Sequence, residues 1–173
     1  MVGSSNHFDP VDHLQGLVGR FGDEKAVRAQ VETRYRELVE AQPVLPGVAD
    51  RIAEAQRLGL RLGVASSSRR PWVDGHLARL GLRDAFTCLA CRGDPPGLRG
   101  KPNPDTYEAA VACLGVSPAG TLAIEDSPHG IRAAKAAGLH CLAVPNGLTS
   151  HLDLSEADVT AVSLAEVSLE DFL

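Results

Sequence analysis

The stretch Thr121–Gly138, TLAIEDSPHGIRAAKAAG, decides the fold, because two consecutive acids separate a short apolar segment from a helical pattern. Residues 121–124 are predicted to form a buried strand. Residues 127–137 are predicted to form a helix that Gly138 closes. The stretch is therefore one strand, loop and helix of an α/β fold.

The two acids between this strand and this helix are Glu125 and Asp126. Neighbouring carboxylates repel each other, and a hard cation such as Mg²⁺ would relieve the repulsion through oxygen ligation. In the other interpretation, Asp126 or Ser127 simply caps the helix that follows. Because one residue can cap a helix and also bind a metal, both interpretations stay open.

Outward from this unit, short apolar segments alternate with helical patterns. Further strands are predicted at residues 60–65, 85–90, 139–144 and 159–163, and helices near 48–58, over 70–80 and from Asn103-Pro104 through Leu114, with Asn103 as the cap. This alternation predicts an α/β protein with a Rossmann-like parallel sheet and helices on both faces. Right-handed crossovers would place every loop that follows a strand on one edge of the sheet.

Two more polar features are expected on that edge. Ser66 follows a predicted strand, where its hydroxyl and the next backbone N–H groups can hold an anionic oxygen, although the serines there would also suit a helix cap. Lys101 lies in the sequence GKPNPD, where its ammonium suits either a phosphoryl group or bulk solvent. Three such features at consecutive loops together favour a site for phosphate and metal.

The residues before this alternating region are predicted to be helical. Apolar residues recur at helical spacing over 11–18 and again over 27–39, and Asp9-Pro10 is a helix start signal. Pro43 and Pro46-Gly47 then interrupt the pattern. We therefore place a domain boundary between residues 43 and 44.

Composition narrows the possible functions. The formal charge is −5, from 17 Lys and Arg against 22 Asp and Glu, and no basic run suggests binding to nucleic acid. No apolar segment is long enough to span a membrane and no signal peptide precedes the helices, so we expect a cytoplasmic protein without a membrane partner. The four cysteines, which include the pair Cys88 and Cys91, are expected to be free thiols.

Three stretches resemble a known family. Leu62–Ser68 (LGVASSS), Gly100–Asp105 (GKPNPD) and Ala123–Gly138 are similar to the second, third and fourth motifs of the haloacid dehalogenase superfamily. The similarity is greatest to the branch that contains β-phosphoglucomutase and phosphoglycolate phosphatase. It implies a phosphatase of small phosphorylated metabolites, with the family's α/β core over residues 44–173 and a remnant of its helical cap over residues 1–43.

The resemblance also assigns residues to a phosphate site. Ser66 and the backbone of Ser67 would bind the transferring phosphoryl group, and Lys101 would offset its negative charge. Arg70 lies where the family often has another polar contact to phosphate or substrate. Electrostatic positioning of this kind is most of what phosphoryl transfer requires from a protein.

The sequence contains the family's metal-binding motif but not the motif that supplies its nucleophile. Glu125 and Asp126 match the family's acidic motif and would hold Mg²⁺ directly or through water. The family's first motif is Asp-x-Asp, in which one Asp attacks phosphorus and the other acts as acid and base. Asp-x-Asp does not occur in this sequence. We therefore expect Met1 to be a misassigned start or the edge of a fragment, the family's central first strand to be missing, and the chain as given to be inactive.

The sequence is also compatible with two other functions. One is a phosphomutase of the same family, which depends on cap residues that exclude water. The other is a non-catalytic module that binds phosphate or a protein partner. The sequence leaves the substrate and the oligomeric state undetermined.

Overall fold

The computed structural model describes residues 9–19 and 22–173, which form two compact units. The described residues as far as Val44 make up a helical unit, and Leu45–Leu173 make up an α/β unit. All the residues assigned to a phosphate or metal site lie in the second unit.

The helical unit contains α1 (Pro10–Val18) and α2 (Glu24–Glu40), as the sequence predicts. Asp9 caps α1, because its carboxylate accepts the backbone N–H of Val11 at 2.8 Å and that of Asp12 at 3.1 Å. Val11 is buried, whereas no residue of α2 is.

The α/β unit alternates helices with short strands. Its helices are α3 (Val48–Arg57), α4 (Arg70–Arg79), α5 (Asp105–Leu114) and α6 (Pro128–Ala136). Its strands are β1 (Gly63–Ser66), β2 (Cys88–Cys91), β3 (Leu122–Glu125), β4 (His140–Ala143) and β5 (Val159–Thr160). Single 3₁₀ turns lie at Arg83–Ala85, Pro118–Gly120, Leu164–Glu166 and Leu169–Phe172.

Every strand pair among the described residues is parallel, which confirms the predicted α/β class. β1 pairs with β2, and Ser66 lies opposite Cys91. β4 lies between β3 and β5, with Glu125 opposite Ala143. The described strands form a two-stranded sheet and a three-stranded sheet, because no described strand joins β1 to β3.

The core lies on both faces of these strands. The larger cluster joins α5, α6, β3 and β4 and includes the fully buried Ile131 and Cys141. A smaller cluster packs Val73 of α4 against Leu89 and Cys91 of β2. Helices on both faces are therefore confirmed. β1 differs from the buried strand we predicted, since its four residues are only half-buried.

The cysteines require a correction. A disulfide joins Cys88 of β2 to Cys113 of α5, with their Cα atoms 6.0 Å apart, so the prediction of four free thiols is wrong for these two. Only Cys91 and Cys141 are free, and both are buried. The spacing of Cys88 and Cys91 suggested a pair, but alternation along β2 turns Cys91 towards α4 while Cys88 bonds to α5.

The predicted cap of α5 is also wrong. The helix begins at Asp105 with Pro104 at the N-cap and no capping side chain. Asn103 lies one residue too early, and its amide group donates to the carbonyl of Gly100 at 3.0 Å. Asn103 therefore closes the turn before the helix.

Candidate active site

The acidic pair lies where β3 ends and α6 begins. Glu125 is the last residue of β3 and is 7% exposed, and Asp126 is half-buried in the connection to α6. Ser127 caps α6 by accepting the N–H of Gly130 at 3.3 Å, so Ser127 rather than Asp126 fills the capping role. A Cβ on Gly130 would overlap the Glu125 carboxylate, and the glycine therefore makes room for that group.

Lys101 reaches this pair from the loop before α5. Its ammonium donates to Oε1 of Glu125, and the two side chains are only 13% and 5% exposed. The interpretation of Lys101 as a solvated loop residue is therefore wrong. The ammonium also lies 4.9 Å from the centre of the Tyr107 ring, within range of a cation–π contact.

Tyr107 is a site residue that the sequence reasoning missed. It lies in the first turn of α5 and is 7% exposed, and its hydroxyl donates to the same Oε1 atom of Glu125. Burial and the negative charge of Glu125 raise the pKa of Tyr107 well above its usual value of 10, so the hydroxyl stays protonated and remains a donor. A hydroxyl in the first turn after the lysine loop was the available signal.

Asn146 is a second residue that the sequence reasoning missed. It lies just beyond β4, on the same edge of the strands, and its amide group donates to Oδ2 of Asp126 at 2.7 Å. The amide is itself held in place, because its Oδ1 accepts the N–H of Leu148 at 2.8 Å. A polar residue after a predicted parallel strand could have been found by the rule that identified Ser66.

Asp126 lies in an environment that favours a bound cation. Burial, and then the charge of Glu125, raise the pKa of the Asp126 carboxyl above its usual value, although the hydrogen bond from Asn146 opposes this. A cation beside the two acids would offset both effects. Mg²⁺ commonly binds through one or two carboxylates, completed by water and substrate phosphate. Glu125 and Asp126 fit that pattern, and the described residues contain no group of three or more His, Cys, Asp and Glu side chains suited to a metal.

The serine loop lies beside Lys101. Ser66 ends β1, and its hydroxyl accepts the N–H of Ser68 at 3.1 Å. Ser67 accepts the backbone N–H of Lys101 at 2.9 Å, which ties this loop to the lysine loop. Neither serine caps α4, because the N-cap is Arg69 and no side chain bonds there.

Arg70 has a different set of contacts. Its guanidinium forms two hydrogen bonds with the Asp94 carboxylate, at 2.7 and 3.1 Å, and donates to the carbonyl of Leu89 at 2.7 Å. Its predicted contact to phosphate would have to compete with this ion pair. A chain of hydrogen bonds thus runs from Ser67 through Lys101 and Glu125 to the backbone of Asp126. Arg70 lies outside this chain, because it is paired with Asp94.

The fold and the site together indicate the class of protein. It is an α/β protein in which a lysine and two acids lie together at the carboxyl ends of parallel strands. Residues 1–138 match the haloacid dehalogenase-like hydrolase family. The chain therefore belongs to the haloacid dehalogenase-like hydrolase family, as its motifs predicted.

Individual relatives agree with this assignment. YhcW of Bacillus subtilis (strain 168) is 37% identical over 169 residues, which are 98% of this chain and 76% of YhcW. Hexitol phosphatase B of Escherichia coli (strain K12) is 36% identical over 135 residues, 78% of this chain and 60% of that protein. The crystal structure of CbbY from Rhodobacter sphaeroides in complex with phosphate is 38% identical, with a TM-score of 0.70 over 80% of this chain and 63% of CbbY. The chain thus spans about three fifths of the last two proteins.

Among the described helices, none combines the length and the apolar character that crossing a membrane requires.

Proposed function

We propose that this chain forms the phosphate- and Mg²⁺-binding part of a phosphohydrolase that acts on a small phosphorylated metabolite. The observation that carries the proposal is the buried contact of Lys101 with Glu125, beside Asp126. An enclosed lysine between an acidic pair and a serine loop is suited to a ligand that brings both negative charge and a metal ion.

Each group has a distinct part in this proposal. Glu125 and Asp126 hold Mg²⁺, which when bound withdraws charge from the phosphoryl oxygens. Lys101 lies between Glu125 and the serine loop, where its ammonium attracts the same phosphoryl group. Ser66 and the backbone of Ser67 orient that group at the end of β1. This machinery positions and stabilises charge, but it contains no attacking carboxylate.

Turnover needs an attacking group that this sequence does not supply as Asp-x-Asp. The same fact favours a second function, in which the chain binds phosphate without hydrolysing it. The two functions share one binding site and differ only in turnover. The cytoplasmic location remains a prediction.

The proposal is tested by titrating inorganic phosphate into the protein with Mg²⁺ in a calorimeter. We expect saturable binding that Glu125→Gln and Asp126→Asn each weaken by roughly tenfold or more. Glu156→Gln is the control, because Glu156 is an exposed acid paired with Arg132 and, in the described part of the chain, forms no hydrogen bond or ion pair with the acidic pair or with Lys101. Absence of binding, or equal binding by all four proteins, would overturn the proposal.

A turnover assay separates the two functions. With Mg²⁺ and p-nitrophenyl phosphate, we expect the chain as given to show no hydrolysis. Hydrolysis that disappears in Glu125→Ala or Asp126→Ala would show that another residue attacks phosphorus and that the chain is an enzyme as it stands.

A further inference from the structure

Arg92 lies beside the serine loop, although no motif points to it. It directly follows β2, and its backbone N–H donates to the carbonyl of Ser66 at 3.0 Å. A Cβ placed on Gly100 would lie 3.2 Å from both the Arg92 Cδ and the Ser67 Oγ. The Arg92 side chain and Ser67 therefore flank the same glycine, the residue before Lys101.

The guanidinium of Arg92 has no protein partner in the described part of the chain. Its side chain is half-buried, yet it forms no ion pair or hydrogen bond with any described residue. By contrast, Arg70 is bound to Asp94, and Arg99, in the same loop as Lys101, is bound to Asp105. An arginine that is partly withdrawn from water and lacks a carboxylate suits an anionic ligand.

The charges at this edge leave room for one more cation besides Lys101 and Mg²⁺. Lys101 is already paired with Glu125, so the lysine and the two acids together carry one net negative charge. A doubly charged phosphoryl group makes the total minus three, and Mg²⁺ reduces it only to minus one. The positive charge of Arg92 brings the site to neutrality, and its planar group can donate two parallel hydrogen bonds to phosphate oxygens.

We propose that Arg92 binds the phosphoryl group held by the serine loop and is the arginine of this site, in place of Arg70. This inference rests on the proposed phosphate and Mg²⁺ site. A phosphate monoester or inorganic phosphate would supply the anionic partner that the guanidinium lacks, whereas a neutral ligand would not.

The test is calorimetric titration of inorganic phosphate in the presence of Mg²⁺, with four proteins. Arg92→Met should raise the phosphate Kd by about tenfold, as expected for loss of a charged hydrogen bond. Arg92→Lys should recover part of the affinity, because it retains the charge but loses the paired donors. Arg57→Met should bind as wild type; it removes the same charge from an exposed ion pair with Glu170 at the end of α3.

The outcomes separate this inference from the function on which it rests. If wild-type protein binds phosphate and Arg92→Met binds equally well, Arg92 has no such role and the proposed site stands. If Arg57→Met weakens binding as much as Arg92→Met, the effect is one of net charge and the inference is wrong. If wild-type protein binds no phosphate, both proposals fail. Thermal unfolding of each variant without ligand shows whether a loss of binding is a loss of folded protein.

Discussion

Several of the contacts within the site converge on Glu125. A carboxylate that is 7% exposed would be costly to bury by several kcal/mol if it were left unpaired. Its Oε1 receives both the Lys101 ammonium and the Tyr107 hydroxyl, and Gly130 leaves space for the group. Both side-chain donors converge on Oε1, whereas among the described residues Oε2 accepts only the backbone N–H of Asp126, at 3.4 Å.

Tyr107 can be tested by removing only its hydroxyl. We expect Tyr107→Phe to lower the free energy of unfolding by about 1–2 kcal/mol, because a buried charged acceptor loses a donor. The loss should be smaller in a Glu125→Gln background, where the acceptor is neutral. Urea unfolding of the two single variants and the double variant gives the coupling energy. An equal loss in both backgrounds would mean that the hydroxyl does not interact with the Glu125 charge.

Among individual residues, the sequence predicted those that are charged and also lie in a loop after a predicted strand or before a predicted helix. Lys101, Glu125 and Asp126 are charged residues at predicted loops, and the structure brings them together. Tyr107 and Asn146 were missed for physical reasons. A tyrosine among apolar helix residues also suits a core position, and an asparagine after a proline also suits a turn. Only the tertiary fold places their donors on the two carboxylates.

At the scale of elements, the disulfide fastens β2 to α5, the helix that presents Tyr107 to the site. Cys88 and Cys113 are 25 residues apart, and closing a loop of that length restricts the unfolded chain. The entropic model gives a stabilisation of about 3 kcal/mol for such a loop. Lys101 lies within the loop that this bond closes.

Reduction tests this contribution. We expect dithiothreitol to lower the urea midpoint of the wild-type protein, with a loss of about 3 kcal/mol in the free energy of unfolding. Cys113→Ser should unfold at a similarly low midpoint in either condition, because it has no bond to reduce. A thiol assay in urea should count two free thiols before reduction and four after it, from the four cysteines of the chain. Four thiols before reduction would contradict the disulfide.

The elements themselves followed from local patterns. All six helices in the described residues lie within a few residues of their predicted positions, because apolar spacing and caps are local signals. The second strand was predicted about three residues early, since Ala85 and Phe86 are apolar but belong to a turn and its exit. The disulfide was not predicted, because pairing depends on which faces of β2 and α5 meet.

At the scale of the whole α/β unit, the sequence indicated the class of the fold and also predicted that the central strand of the sheet is missing. Alternation of strands and helices predicts parallel pairing, and the described strands pair in that way. Which strands are neighbours is not a local property, so the expectation of a missing central strand came from the family resemblance and not from periodicity. In the described residues, β1 and β3 each have an unpaired edge, and Ile124 in the middle of β3 is 42% exposed. Unpaired edges of this kind reduce the burial on which stability depends.

Where burial is reduced in this way, ion pairs should contribute measurably to the free energy of unfolding. Lowering the pH tests this contribution, because it protonates the carboxylates of those pairs. The hydrogen bonds from Arg99 lower the pKa of Asp105 to about 2, from an ordinary value of 3.8. A carboxyl whose pKa is lower in the folded state contributes stability above its unfolded pKa and loses it as the pH falls towards the folded pKa. We therefore expect the urea midpoint to fall between about pH 4 and pH 2. Asp105→Asn should start from a lower midpoint at pH 5 and fall less steeply over the same range, because one of the titrating groups is absent. A midpoint that is constant from pH 4 to pH 2 in the wild-type protein would contradict a stabilising role for the Arg99 pair.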